Sequence, residues 1–240
     1  MNIKKLFYII SIIFTFFIIP KMVFSQTFDT PEVYIVTVNS MDLCEDAACA
    51  KYVRLGAISK SFDIASAAAA GDVGTYVEEI ALEVGKSYTH ARWNLNRAMT
   101  VKGGASVGGG VTCSTAANGT AGTETVAAYT AGDQTEANLA LFMVDLGKLA
   151  NSGGPVASDY TSKGVQLVSN DFPSATTFDY IKELTSTYTV TEEVPVISMS
   201  FNVTDNLGIG YNNSGSASNG VPNNNCYYWV EDPSPIISIK

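Results

Sequence analysis

Residues 196–204 alternate between apolar and polar without a slip. Ile197, Met199, Phe201 and Val203 share one face, and Ser198, Ser200, Asn202 and Thr204 the other. A period of two predicts a half-exposed β-strand. Residues 87–97 carry the same pattern. Thr89, Ala91, Trp93, Leu95 and Arg97 fall on one side, and Tyr88, His90, Arg92, Asn94 and Asn96 on the other, so Trp93 and Leu95 are core candidates. Residues 33–38 are apolar on both faces, which predicts a strand buried at the centre of a sheet. Residues 51–55 read as its hairpin partner. Residues 61–65 read as a short strand, with a small-residue loop or weak helical turn after it at 67–74. Residues 77–84 alternate in part and end at a Gly85-Lys86 turn. Residues 178–190 and 226–230 read as strands, and 236–240, behind Pro233 and Pro235, as an edge strand. Residues 133–150 are ambiguous. Asp133 with Glu136 has the form of a helix capping box, while 138–146 suits a buried strand, the reading that the β-like surroundings favour.

Two stretches have little bulk to bury. Residues 103–132 are rich in Gly, Ala, Thr and Ser and are expected as a loop insert with one edge strand at most. Residues 205–225 read as a Gly/Asn/Ser loop. Seven or more short strands with turn signals between them predict an all-β chain. Its expected architecture is an antiparallel β-sandwich with long Gly/Ser/Asn-rich loops.

The chain opens in another register. Residues 1–5 are short and basic, residues 6–19 are an unbroken apolar run, and Pro20 ends it. Val23-Phe24-Ser25 then offers a small-residue cleavage site before Gln26. That order is a secretory signal peptide. The expected organisation is a signal at 1–25 and one secreted sandwich domain at 26–240. The apolar run is 14 residues long, short of the roughly 20 that span a bilayer. No later stretch approaches that length, so no membrane span is expected after cleavage. Export to the periplasm, the cell surface or the medium follows.

Charge sharpens this picture. The whole chain carries 14 Lys and Arg against 23 Asp and Glu, a formal charge of −9. Cleavage removes Lys4, Lys5 and Lys21 and no acid, which takes the mature charge to −12. Such a protein repels phosphate backbones, so nucleic acid is not an expected partner. Four cysteines, Cys44, Cys49, Cys113 and Cys226, admit three pairings. In an exported chain they read as disulfides. A Cys44–Cys49 bond would close a hairpin tip, and Cys113–Cys226 would tie the 103–132 stretch to the segment before the last strand. Zinc is the competing reading, but Cys113 and Cys226 have no close Cys or His neighbour.

Three blocks in order resemble a family of secreted bacterial β-sandwich domains of uncharacterised function with transthyretin-like topology. The blocks are residues 34–43, the stretch Phe62-Asp63-Ile64-Ala65-Ser66, and Gly85-Lys86-Ser87-Tyr88-Thr89-His90-Ala91-Arg92. The likeness covers about 34–95. It implies a surface-associated sandwich and carries no catalytic residues.

Signals for chemistry are sparse. His90 is the only histidine, and no nucleophile elbow accompanies it. Glu45-Asp46, Glu78-Glu79, Glu192-Glu193 and Glu231-Asp232 are carboxylate pairs. A glycosidase would need two of them across a cleft, whereas solvated turns explain adjacent acids directly. Asp205, Asn206, Asn212 and Asn213 offer oxygen ligands that calcium could use, without an EF-hand spacing. Apart from that candidate no cofactor is expected. Tyr227, Tyr228 and Trp229 read either as core or as a platform on which a sugar stacks. The sequence therefore predicts an exported non-enzymatic binding, adhesion or assembly module. Its partner would be a surface glycan, a protein or another copy of itself. The alternatives are a secreted carbohydrate-active enzyme using paired carboxylates and a filament subunit.

Overall fold

The computed structural model describes residues 24–68, 82–116, 127–130, 135–142, 162, 164–166, 176–193, 197–216, 221–231, 233 and 235–239. In chain order the strands are β1 Phe24–Asp29, β2 Val33–Cys44, β3 Tyr52–Gly56, β4 Lys60–Asp63, β5 Ser87–Asn96, β6 Ala98–Lys102, β7 Gly104–Ser106 and β8 Thr112–Ser114. They continue with β9 Ala127–Thr130, β10 Leu139–Phe142, β11 Val165–Gln166, β12 Thr177–Thr189, β13 Ile197–Phe201, β14 Leu207–Asn212, β15 Asn225–Val230 and β16 Pro235–Ile239. A five-residue helix, α1 Ile64–Ala68, follows β4.

The expected central strand is central. β2 pairs along one edge with β3 and β4, and along the other with β5 and β6. The registers of β5 and β6 run on from one another, so the two act as a single long strand broken at Arg97. Beyond them β12 pairs with β5 and β10 with β6, and β11 closes the far edge against β12. All these pairings are antiparallel. A four-stranded antiparallel sheet in the order β1-β14-β15-β9 and a two-stranded sheet β13-β16 pack with it. One core joins the layers. Tyr34, Val36, Trp93, Val101, Phe178 and Leu141 of the large sheet meet Leu207, Ile209, Tyr228 and Val230 of the four-stranded sheet and Ile237 of β16. This is the expected all-β sandwich arrangement.

Cys44 bonds Cys49 at the tip of the β2–β3 hairpin, and Cys113 of β8 bonds Cys226 of β15. Closing loops with sequence separations of 5 and 113 removes chain entropy worth about 2 and nearly ~5 kcal/mol from the unfolded state. The longer bridge therefore contributes more.

Several expectations are corrected. The stretch expected as a loop at 205–225 contains β14, every residue of which is buried. Its glycines hid it, because Gly lowers strand propensity. They are there because Trp229 lies across Gly208 and Tyr227 across Gly210, and a Cβ at either position would overlap a ring. The 103–132 insert supplies three short strands rather than at most one. β7 and β8 form a hairpin turned by Gly108, Gly109 and Gly110, all at positive φ. β9 pairs with β15. The strand expected at 61–65 ends at Asp63, whose Oδ1 accepts from the Ala65 N–H and caps α1. Tyr88, expected on the polar side of β5, is buried. The ladder slips between Glu183 and Tyr188, opposite this end of β5, so the alternation does not carry through to Tyr88. In the ambiguous stretch, 139–142 is strand.

Residues 1–23, 69–81, 133–134 and 143–150 lie outside the described residues, and with them most of the expected signal, Glu78-Glu79 and the capping-box residue Asp133. Phe24 and Ser25 pair with Asn212 and Tyr211. Cleavage after Ser25 would leave Gln26–Asp29 in register with β14. No helix among the described residues is long and apolar enough to cross a membrane.

Candidate functional site

The outer face of the large sheet carries a connected polar array. The alternation of β5 sends Ala91 and Trp93 into the core and sets Arg92, Asn94 and Asn96 on the other face. Asn39 alternates with the core residues Val36 and Val38 and so shares this face, and the ladder slip between Val38 and Ser40 turns Asp42 to it as well, with Met41 and Leu43 inward. Asn39 Nδ2 donates to Asn96 Oδ1 at 2.8 Å and to Asn94 Oδ1 at 3.2 Å. Ser59 Oγ donates to Asn39 Oδ1 at 3.0 Å. Asn94 Nδ2 in turn donates to Asp179 Oδ1 of β12 at 2.8 Å. Four amide and carboxylate side chains from three strands are thus fixed by one another.

Beside them sits a buried charge. Asp42 is 1 % exposed and stands in register with Arg54 on β3 and Arg92 on β5. Arg54 Nε donates to Oδ1 at 2.8 Å, and Arg92 donates to Oδ2 from Nε at 2.9 Å and Nη2 at 2.7 Å. Removing a carboxylate held this way would strand two guanidiniums, so it fixes the register of β2, β3 and β5. Burial works against the Arg92 charge. The bonds and attraction of Asp42, with Asp179 adding to them, outweigh that and hold its pKa above the ordinary guanidinium value. The Tyr52 ring covers the pair. Arg92 Cζ lies 4.4 Å from its centroid and Arg54 Cζ 5.8 Å. Tyr52 is nevertheless 49 % exposed.

His90 has a different partner from the one a triad requires. The Thr89 hydroxyl donates to Glu45 O, so His90 Nδ1–H donates to Thr89 Oγ1 at 2.8 Å. The carboxylate pairs do not converge among the described residues. Glu45 lies 3.6 Å from Lys86, Glu192 and Glu193 are exposed in a turn, and Glu231 accepts from Trp229 Nε1.

The aromatic triplet is packed inside the molecule. Tyr228 faces the core and donates to Ser114 O at 2.6 Å. Tyr227 and Trp229, on the opposite face, stack with centroids 5.7 Å apart and form their own cluster with Val221. All three are buried, so none presents a ring to solvent. Burial raises the Tyr227 pKa, and a hydrogen bond from Gln26 pulls the other way.

The four calcium candidates do not form one ligand set. Asp205 and Asn206 precede β14, while Asn212 ends it and Asn213 follows. Six residue steps separate Asn206 from Asn212, roughly 20 Å. Asn212 is also committed to the chain, with Nδ2 donating to the Val221 carbonyl and Oδ1 accepting from Ser214. Among the described residues no group of three His, Cys, Asp or Glu side chains could hold a metal ion.

A cavity of about 30 Å³ lies between the large sheet and β13-β16, walled by Val36, Trp93, Leu95, Phe178, Phe201 and Pro235 among others. Its apolar wall gives a water too few partners. Trp93 Nε1 has no hydrogen-bond partner among the described residues.

The sequence had placed Arg92, Asn94 and Asn96 on one polar strand face. Asn39, Asp42, Tyr52 and Asp179 escaped notice because their neighbours come from other strands, and because a ladder slip is what turns Asp42 to this face. No protein-family model, curated protein or solved structure matches this chain.

Proposed function

We propose that the protein is an exported, non-enzymatic binding module that uses the outer face of its large sheet as its contact surface. The polar array on that face carries the reading. Asn39, Asn94, Asn96 and Asp179 hold one another on strands rather than loops, which lowers the ordering cost of binding. Two disulfides support export, since they persist in oxidising compartments. The signal-like start supports it too, as does the transthyretin-like resemblance of residues 34–95, which belongs to the same proposal.

Co-sedimentation tests the reading. Purified mature protein should pellet with the envelope fraction of the cells that produce it, and should stay in the supernatant alone. Failure to pellet with envelope contradicts a surface-binding role. Pelleting without envelope points to self-assembly instead.

A further inference from the structure

We infer that the cavity between the large sheet and β13-β16 is a binding site for a small uncharged molecule. The ligand has an apolar body of a few carbons and one acceptor oxygen, which takes the Trp93 N–H. The site lies on the inner face of the large sheet, away from the polar array, so it stands or falls independently of the surface reading.

An unpaired donor is the first observation. Trp93 is 3 % exposed, and its Nε1 has no hydrogen-bond partner among the described residues. A buried indole N–H ordinarily finds one, and leaving it bare costs the desolvation of the group. Trp229 shows the ordinary case, with Nε1 donating to Glu231 Oε1 at 2.8 Å. The Trp93 ring lines the cavity, so the free space beside it is where an acceptor can sit.

The wall is the second observation. Val36, Val38, Met99 and Phe178 of the large sheet line the space together with Phe201 and Pro235. No charged side chain among the described residues lines it. A carboxylate or phosphate would satisfy the N–H but lose its hydration with no counter-charge to meet it. A cation would meet a donor instead of a ligand. A water is short of partners against so apolar a wall. An uncharged molecule, mostly apolar and bearing one acceptor, meets none of these obstacles.

Size narrows the class. The volume of about 30 Å³ is room for roughly two to three waters, the scale of a short branched ketone. Leu95 and Phe201 are half-buried while the other walls named are buried, which sets the entrance between β5 and β13.

Acetone, isobutene and acetate test this, because they share one planar branched shape in three chemistries. The reporter is the Trp93 indole N–H, read by proton–nitrogen correlation NMR of the mature protein. Trp229, the only other tryptophan, is the control. Acetone should move the Trp93 resonance downfield to saturation, the direction of an accepted bond, and leave Trp229 in place. Isobutene should bind without that downfield shift, and acetate should move neither resonance. Trp93→Phe keeps an aromatic wall and removes the donor. The ratio of acetone to isobutene affinity, read from the Val36 and Val38 methyl resonances, should then fall at least about fivefold, on the scale of one hydrogen bond. Absence of a saturable Trp93 shift with acetone would overturn the site. A downfield shift with isobutene, or an unchanged ratio in the variant, would overturn the donor role of Trp93. Saturable binding of acetate would overturn the uncharged ligand. The shifts in the unsubstituted protein decide the donor even where the variant fails to fold.

Discussion

Two glycines decide how the small sheet is built. Gly208 stands opposite Trp229, and Gly210 opposite Tyr227. On the other side of β14 the same positions pair with Phe28 and Gln26 of β1. With no side chain between, the rings cross β14. Trp229 meets Phe28 edge-on at 5.9 Å, and Tyr227 accepts from Gln26 Nε2 at 3.3 Å. The glycines therefore fasten the first strand through the third. A methyl group at Gly208 would overlap the indole, so Gly208→Ala should lower stability by about 2–3 kcal/mol, the upper range for overpacking. The cost should fall below ~1 kcal/mol in a Trp229→Leu background, because the overlap is then gone. Urea unfolding of the four proteins measures the cycle. Additive costs would show that the glycines serve something other than ring clearance. The sequence held a faint signal here. Leu207, Ile209 and Tyr211 alternate across the glycines, and Gly inside such a pattern marks a close approach. The run of Asn, Gly and Ser after it concealed the signal.

At the scale of elements, strands with clean alternation were legible and strands made of small residues were not. β2, β5 and β12 bury enough Val, Ile, Trp and Tyr to announce themselves. β7, β8 and β9 consist of Gly, Ala, Ser, Thr, one Cys and one Tyr, which periodicity cannot distinguish from loop. What holds the β7-β8 hairpin is tertiary. Cys113 bonds Cys226, the Tyr228 hydroxyl donates to Ser114 O, and the Gly104 N–H donates to Asp29 Oδ2. Replacing Cys113 and Cys226 together by Ser should therefore cost nearly ~5 kcal/mol, against about 2 kcal/mol for Cys44 and Cys49. Both pairs lie among buried residues, so the introduced hydroxyls add to each figure and the ranking is the firmer expectation. Chemical denaturation of the two double variants checks it, and a larger loss from the hairpin-tip pair would reverse the assignment of roles. Ladder slips mark the other limit of the sequence. One residue too many after Val38 turned the Asp42 carboxylate to the outer face, and the slip opposite Thr89 accompanies the burial of Tyr88. Nothing local in the chain specifies either.

At the scale of the molecule, the layers separate stability from contact. The core lies between the sheets, and the bridges tie a hairpin tip and a flanking hairpin to the structure. The outer face of the large sheet then needs no loop to shape it. Its amides, carboxylates and the Tyr52 ring are positioned by the same strand registers that build the core. The candidate site was half visible beforehand, since the polar side of β5 supplied Arg92, Asn94 and Asn96. The aromatic partner was sought at Tyr227, Tyr228 and Trp229 because hydrophobic clusters near a chain end look alike whether packed or exposed. Only the pairing of β15 between β14 and β9 shows that these rings are enclosed.

Hydroxyl-radical footprinting of the protein bound to its envelope fraction tests the central claim most directly. Tyr52, Phe28 and Ile236 are exposed aromatic or aliphatic reporters on three different sheets. Binding through the polar array predicts that labelling of Tyr52 falls on binding while Phe28 and Ile236 keep their free-protein rates. Unchanged labelling of Tyr52 with protection at Phe28 or Ile236 would place the contact elsewhere and contradict the account.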